Sequence, residues 1–307
     1  MDMKFSGVIP ILVTPFNEDE SVDTKSIQTM IHLMKDIGVN GVTILGVLGE
    51  ANRLTDNERE LIITTATQAA EKLPVIVGTS ATGTRSVIQH NATAKRLGAS
   101  AVMVTPQAEP VPSDEKVFNH FQTILNETDL PVILQDHPAS TGVHMPNELI
   151  FRMLDELTGF GGVKLEAVPT APKLQSLKAR YHEKINIMTG LGALYAAFDL
   201  EGGSDGFNTG FAFPEVLMVL VEASQQKDWV SVHRIYQRFL PLIVYEQHPG
   251  VAIRKELLKM RGAIRTARVR SPGAQGSDSI STTLRTLLKC TLPDQNVTRP
   301  ISLDSIR

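Results

Sequence analysis

The chain has 307 residues, a formal net charge of -3, 42% hydrophobic and 21% charged residues. That balance is ordinary for a soluble globular protein and offers no cationic excess for nucleic acid or a membrane surface. A single cysteine, Cys290, excludes an intramolecular disulfide framework and a thiolate zinc site, and no apolar run approaches the roughly 20 residues that span a bilayer. The expectation is a cytoplasmic enzyme or binding protein with a small-molecule ligand.

Short apolar runs bounded by Gly, Pro and polar residues predict eight strands. In chain order they are GVIPILVTP (from Gly7), GVTILG (Gly41), PVIVGTS (Pro74), AVMVTP (Ala101), PVILQD (Pro131), GGVKLE (Gly161), INIMTG (Ile185) and SDGFNTG (Ser204). Between them the apolar period becomes helical. Ile27, Met30, Ile31 and Met34 form a stripe closed by Gly38. Thr55-Asp56-Asn57-Glu58 has the spacing of a capping box, ahead of a buried face of Ile62, Ala66, Ala69 and Leu73. Val117, Phe121, Ile124 and Leu125 repeat the stripe in a later helix.

Eight strand-helix units in series predict an α/β fold, a closed (β/α)8 TIM barrel, rather than an open sheet. The first turn also lacks a Gly-x-Gly-x-x-Gly fingerprint. Helical periodicity after Pro214 runs to about Gly262 and resumes near Ser279. The organisation expected is a barrel over residues 1–225 and a C-terminal helical extension over residues 226–307.

Active sites of such barrels lie where the strands end. Polar residues at those ends are Thr14, the Gly46–Glu50 turn, Thr79, Ser80, Thr105, Gln107, Gln135, Asp136, His137, Lys164, Glu166, Thr189, Asn208 and Thr209. Lys164 stands out. A strand covered on both faces reads as an apolar run, and a buried ammonium is expensive where a buried neutral amine is a nucleophile.

VTPF, GVLGEANRLTDNER, PVIVGT, HPASTG and GGVKLEA occur in an order and at distances that resemble the dihydrodipicolinate synthase and N-acetylneuraminate lyase superfamily of Schiff-base aldolases, over roughly residues 5–265. The resemblance implies that Lys164 forms an imine with pyruvate or another 2-oxo acid. It implies no metal and no organic cofactor, because the lysine supplies the electron sink, and it implies a homotetramer. The turn containing Gly46, Val47 and Leu48 would hold the substrate carboxylate through backbone amides, with Thr14, Gln107, Thr189 and Asn208 lining the pocket.

The chain departs from that pattern. Val47 and Leu48 stand where relatives carry hydroxyl residues, and Gln135 where they carry a catalytic tyrosine. Gln107 or Ala108 takes the place of a second tyrosine, and Ser140 that of a substrate-gripping arginine. A typical dihydrodipicolinate synthase is not expected. His137 falls on the face of Gln135 and is a candidate proton carrier. Glu166, two residues after Lys164, reads as an acid-base group or a rim charge. The function expected is a lysine-dependent lyase, either an aldolase or a dehydratase of a 2-keto-3-deoxy sugar acid. The alternative is a catalytically impaired 2-oxo acid-binding or regulatory protein.

Overall fold

The computed structural model describes residues 4–247 and 251–307. Eight parallel strands form one sheet: β1 (Gly7–Val8), β2 (Val42–Ile44), β3 (Val75–Gly78), β4 (Ala101–Val104), β5 (Val132–Asp136), β6 (Phe160–Leu165), β7 (Ile187–Thr189) and β8 (Gly206–Phe207). Each of the eight apolar runs thus contains a strand. Neighbours in sequence are neighbours in the sheet, and β8 returns to β1. Closure against β2 comes from the parallel bridge Ile11–Thr43, with Leu12 N and Thr43 O 2.8 Å apart. The result is the expected (β/α)8 barrel.

The helices begin and end where local chemistry dictates. Thr24–Ile37 stops at Gly38, whose positive φ of 86° lets its amide reach back to Met34 and Lys35. Asp56–Ala70 opens on the predicted capping box, with Thr55 N donating to Glu58 Oε2 at 2.9 Å. Ile62, Ala66 and Ala69 are buried there, while Leu73 falls beyond the helix end.

Two apolar layers follow from strand alternation. Phe5, Ile9, Ile76, Ala101, Met103, Ile133 and Met188 fill the lumen. A Cβ at Gly162 would strike the Phe5 ring, so the second glycine of FGGVKLEA makes room for that plug, while Gly161 leaves space for Pro131. Val42, Val75, Val102, Leu134, Val163, Leu165 and Ile187 face outward into a larger cluster shared with the helices, which continues through Leu242, Leu257 and Leu284 to Ile306.

After Pro214–Gln225 the chain forms helices Trp229–Glu246, Val251–Met260, Asp278–Thr291 and Leu303–Ile306. Residues 248–250, inside the predicted helical stretch, lie outside the described residues. Among the described residues no helix is long and apolar enough to cross a membrane.

Candidate active site

Cross-strand register places Gln135, Lys164 and Met188 in one row. Because Met188 belongs to the lumen cluster, that row faces inward. Lys164 is 2% exposed, and its Nζ lies 3.0 Å from Glu166 Oε2. Gln135 Nε2 donates to the same Oε2 at 2.7 Å, and Leu191 N donates to Glu166 Oε1 at 2.9 Å. Three donors therefore hold one buried carboxylate. Gly190 is obligatory for this, since a Cβ there would occupy the space of the Glu166 carboxylate.

Burial and the ion-pair partner act in opposite directions on each of Lys164 and Glu166. Burial pulls the Lys164 pKa below the usual lysine range, although Glu166 opposes it. Burial pushes the Glu166 carboxyl upward, but Lys164, His137 and the hydrogen bonds from Leu191 and Gln135 outweigh it and leave its pKa lowered. His137 is also lowered by burial, with Glu166 opposing and Lys164 reinforcing the shift. Its Nδ1 lies 2.7 Å from Ser140 Oγ.

At the near side, Val47–Gly49 forms a short helical turn. The Gly49 and Glu50 amides close it onto the Gly46 and Val47 carbonyls, whereas those of Val47 and Leu48 donate to no protein oxygen among the described residues. Two adjacent free amides in a turn are the donors from which anion-binding concavities are built. The Val47 side chain is 55% exposed, while Leu48 leans on Gly210. Thr14 supports the turn, its hydroxyl donating to Gly49 O at 2.6 Å.

Glu50 anchors the turn from below. Its buried carboxylate meets Lys255 Nζ at 2.5 Å and Arg53 Nη1 at 2.7 Å, and accepts from Arg270 N. Lys255, buried over the Phe16 ring, has its pKa pulled down to about 8 by burial.

A cavity of about 280 Å³ opens above Gln135, lined also by Gly46, Val47, Arg59, Ser80, Thr105, Gln107 and Ser140. Gly46, Val47, Gln107 and Gln135 are thereby brought together, with Lys164 and Glu166 beside them.

Thr189 points away from the lumen, and Asn208 and Thr14 are engaged by the protein itself. Thr189 pairs in register with Leu165, which faces the outer layer, and so sits outside the lumen beside the buried Asp199. Strand β7 carries Met188 inward, so alternation turns its neighbour outward. Asn208 does face the lumen, but its amide donates to Ile9 O at 2.8 Å and Thr43 Oγ1 at 2.9 Å. Its amide nitrogen ties the end of β8 to the β1 and β2 segments, and its buried Oδ1 has no hydrogen-bond partner. The Thr14 hydroxyl proton is committed to the turn. Conversely, Glu166 joins the site outright, the signal being its two-residue spacing from Lys164. Arg59 had no sequence signal, because a surface-helix arginine is unremarkable until the fold brings it to the mouth.

Among the described residues no group of three or more His, Cys, Asp or Glu side chains is placed to hold a metal ion.

A model of the dihydrodipicolinate synthetase family matches residues 4–291. The chain belongs to that family. Family relatives include an L-2-keto-3-deoxyarabonate dehydratase from Azospirillum brasilense, 29% identical over 87% of this chain and 88% of its own. A 4-hydroxy-tetrahydrodipicolinate synthase from Parabacteroides distasonis is 27% identical over 86% and 89%. Among solved structures of the family, a dihydrodipicolinate synthase from Rhodopseudomonas palustris superposes with a TM-score of 0.89 at 30% identity, covering 94% of this chain and 99% of that one. A chloride-inhibited dihydrodipicolinate synthase from Acinetobacter baumannii, complexed with pyruvate, gives 0.87 at 26% identity, over 94% and 99%.

Proposed function

We propose that the chain is a Schiff-base lyase in which Lys164 forms an imine with a 2-oxo acid, and that it dehydrates a 3-deoxy-2-oxo sugar acid with Glu166 moving the proton. The observation that carries the reading is the buried Lys164–Glu166 pair at 3.0 Å. The neutral amine attacks the substrate carbonyl carbon. Solvent carries the one proton lost from nitrogen to the carbinolamine oxygen and supplies a second, so that the hydroxyl leaves as water and the imine keeps its remaining N–H. The substrate carboxylate rests on the Val47 and Leu48 amides.

The protonated imine then accepts the electron pair freed when Glu166 removes a proton from carbon 3. The enamine expels the hydroxyl of carbon 4, and Glu166 returns the proton to it, so a second water departs. Hydrolysis of the remaining imine restores Lys164. One carboxylate serves both halves of this elimination. Aldol addition needs a donor for the new alkoxide, and Gln135, an amide, cannot exchange a proton with it. That favours dehydration over the aldolase. His137 is the second proton carrier within reach of these charges.

The A. brasilense dehydratase among the relatives supports the same substrate class. The reading also carries a homo-oligomer, a tetramer by family resemblance, testable by light scattering. Gln135 at the tyrosine position favours one other reading, a 2-oxo acid-binding protein with impaired catalysis.

Borohydride reduction with pyruvate and a panel of 3-deoxy-2-oxo sugar acids, followed by peptide mass spectrometry, tests the imine. The expected result is an adduct on Lys164, loss of water from a sugar acid, and disappearance of both in Lys164→Ala. Binding without turnover would select the second reading. No adduct from any acid on folded protein would end the Schiff-base reading.

A further inference from the structure

The mouth cavity is built for more than a short monoacid. Its volume of about 280 Å³ is roughly nine times the 30 Å³ share of a liquid water molecule, more than pyruvate fills. The wall beyond Gln135 is polar, with Asn52, Arg59, Ser80, Thr105, Gln107 and Ser140. Two of these groups lack what burial demands.

Arg59, from the first turn of the helix Asp56–Ala70, is half-buried. Its Nη2 donates to Ala51 O at 2.6 Å, which holds the guanidinium in place without neutralising it. No carboxylate pairs with it among the described residues. Asp56, one turn earlier, is the counter-charge that bears on it, and that side chain is 80% exposed with His90 Nε2 3.5 Å away. Burial pulls the Arg59 pKa down. Buried cations are normally paired, and a half-buried unpaired one carries part of that desolvation cost, which an incoming anion offsets. Thr105 is the second group. It is 5% exposed, and its buried hydroxyl has no hydrogen-bond partner. A charged fork and an orphan hydroxyl in one wall make a recognisable anion site.

We infer that Arg59, with the Thr105 hydroxyl, holds a second anionic group at the far end of the substrate, so that the site selects 2-oxo acids carrying a distal carboxylate. The near end of this substrate rests on the Schiff-base reading; the far end does not. Lys164 and the Val47–Leu48 amides would engage the 2-oxo carboxylate end, and Arg59 the opposite terminus. Ser140, on the same wall, brings no charge of its own.

Calorimetric titration of wild type, Arg59→Gln and Arg59→Lys with pyruvate, 2-oxoglutarate and 2-oxoadipate tests the assignment. Wild type should bind at least one dicarboxylate more tightly than pyruvate. Arg59→Gln should weaken that dicarboxylate by about 10- to 100-fold, the worth of a charge-assisted hydrogen bond, and leave pyruvate within about twofold. Arg59→Lys should recover part of the loss. Equal affinity for mono- and dicarboxylates in wild type would overturn the inference. So would an Arg59→Gln loss equal for both classes, which would make the arginine a brace for Ala51. Borohydride trapping in the same samples keeps the two readings apart. Arg59-dependent dicarboxylate binding without a Lys164 adduct would sustain the distal site while refuting the imine.

Discussion

Replacing Glu166 by Gln separates imine formation from the proton transfers that follow. The substitution keeps volume and an acceptor for the Leu191 amide, and removes the charge 3.0 Å from Lys164 Nζ. At that distance and an effective dielectric of about 20, the lost attraction is about 5.5 kcal/mol. Its direction is to lower the Lys164 pKa further, adding to the burial that already depresses it. The free amine then persists to lower pH, so borohydride trapping should survive and extend toward acid. Turnover should not. Losing a positioned acid-base group costs about 10²- to 10⁴-fold, or roughly 2.7 to 5.5 kcal/mol of activation free energy. The assay is trapped adduct by intact mass against pH, alongside kcat on the best-trapped sugar acid. Turnover within about threefold of wild type would refute a proton-transfer role. Loss of trapping together with turnover, on folded protein, would make Glu166 a support for Lys164 instead.

Two further predictions concern groups around the site. Burial pushes the Asp199 pKa up to about 6 from 3.8, and the Thr170 and Thr189 hydroxyls offset this only in part. A carboxyl raised in the fold contributes stability that is complete below the unfolded pKa and lost as pH rises through the folded one. Ionising it in place costs about 3 kcal/mol above pH 7, so Asp199→Asn should stabilise at pH 8 and give little gain near pH 4. An equal gain at both pH values in thermal melts would contradict this. Lys255→Met leaves Glu50 buried without its 2.5 Å partner. It should destabilise by about 3–5 kcal/mol and loosen the Gly46–Gly49 turn, raising the Kd for pyruvate. An unchanged melting temperature would show that Arg53 and the Arg270 amide suffice.

The barrel was legible because its strands obey a simple rule. Each is a short apolar run between breakers, and eight in series leave few ways to cover both faces of a parallel sheet. The row of Gln135 and Lys164 was legible in part: period-two alternation fixes which residues share a face, but only register says which strands share a layer. Thr189 shows the limit. On a three-residue strand, Ile187–Thr189, a one-residue error of phase turns a pocket residue into one packed against helices. Asn208 shows another, since its lumenal position was foreseeable while the consumption of its amide by Ile9 and Thr43 depends on closure of β8 on β1. Arg59 was beyond reach, because no periodicity tells which helix residue borders a cavity assembled from the second, third, fourth and fifth strand ends.

The polar groups around Glu166 make better sense together than singly. Gln135, which the resemblance sets at the place of a phenol, supplies an amide donor, and that donor points at Glu166 Oε2. Gly190 leaves the space the carboxylate needs, and the Leu191 amide orients its second oxygen. If Gln135 were only a lesion, nothing would require the surrounding groups to converge on Glu166. They do converge, and each polar contact stabilises the ionised form against the cost of burial. On the proposed mechanism, a carboxylate held this way is a base near the imine nitrogen, and an acid once it has taken a proton from carbon. An elimination needs that pair of roles in succession. The site is organised around one carboxylate and one amine, which is what the proposed elimination asks of it.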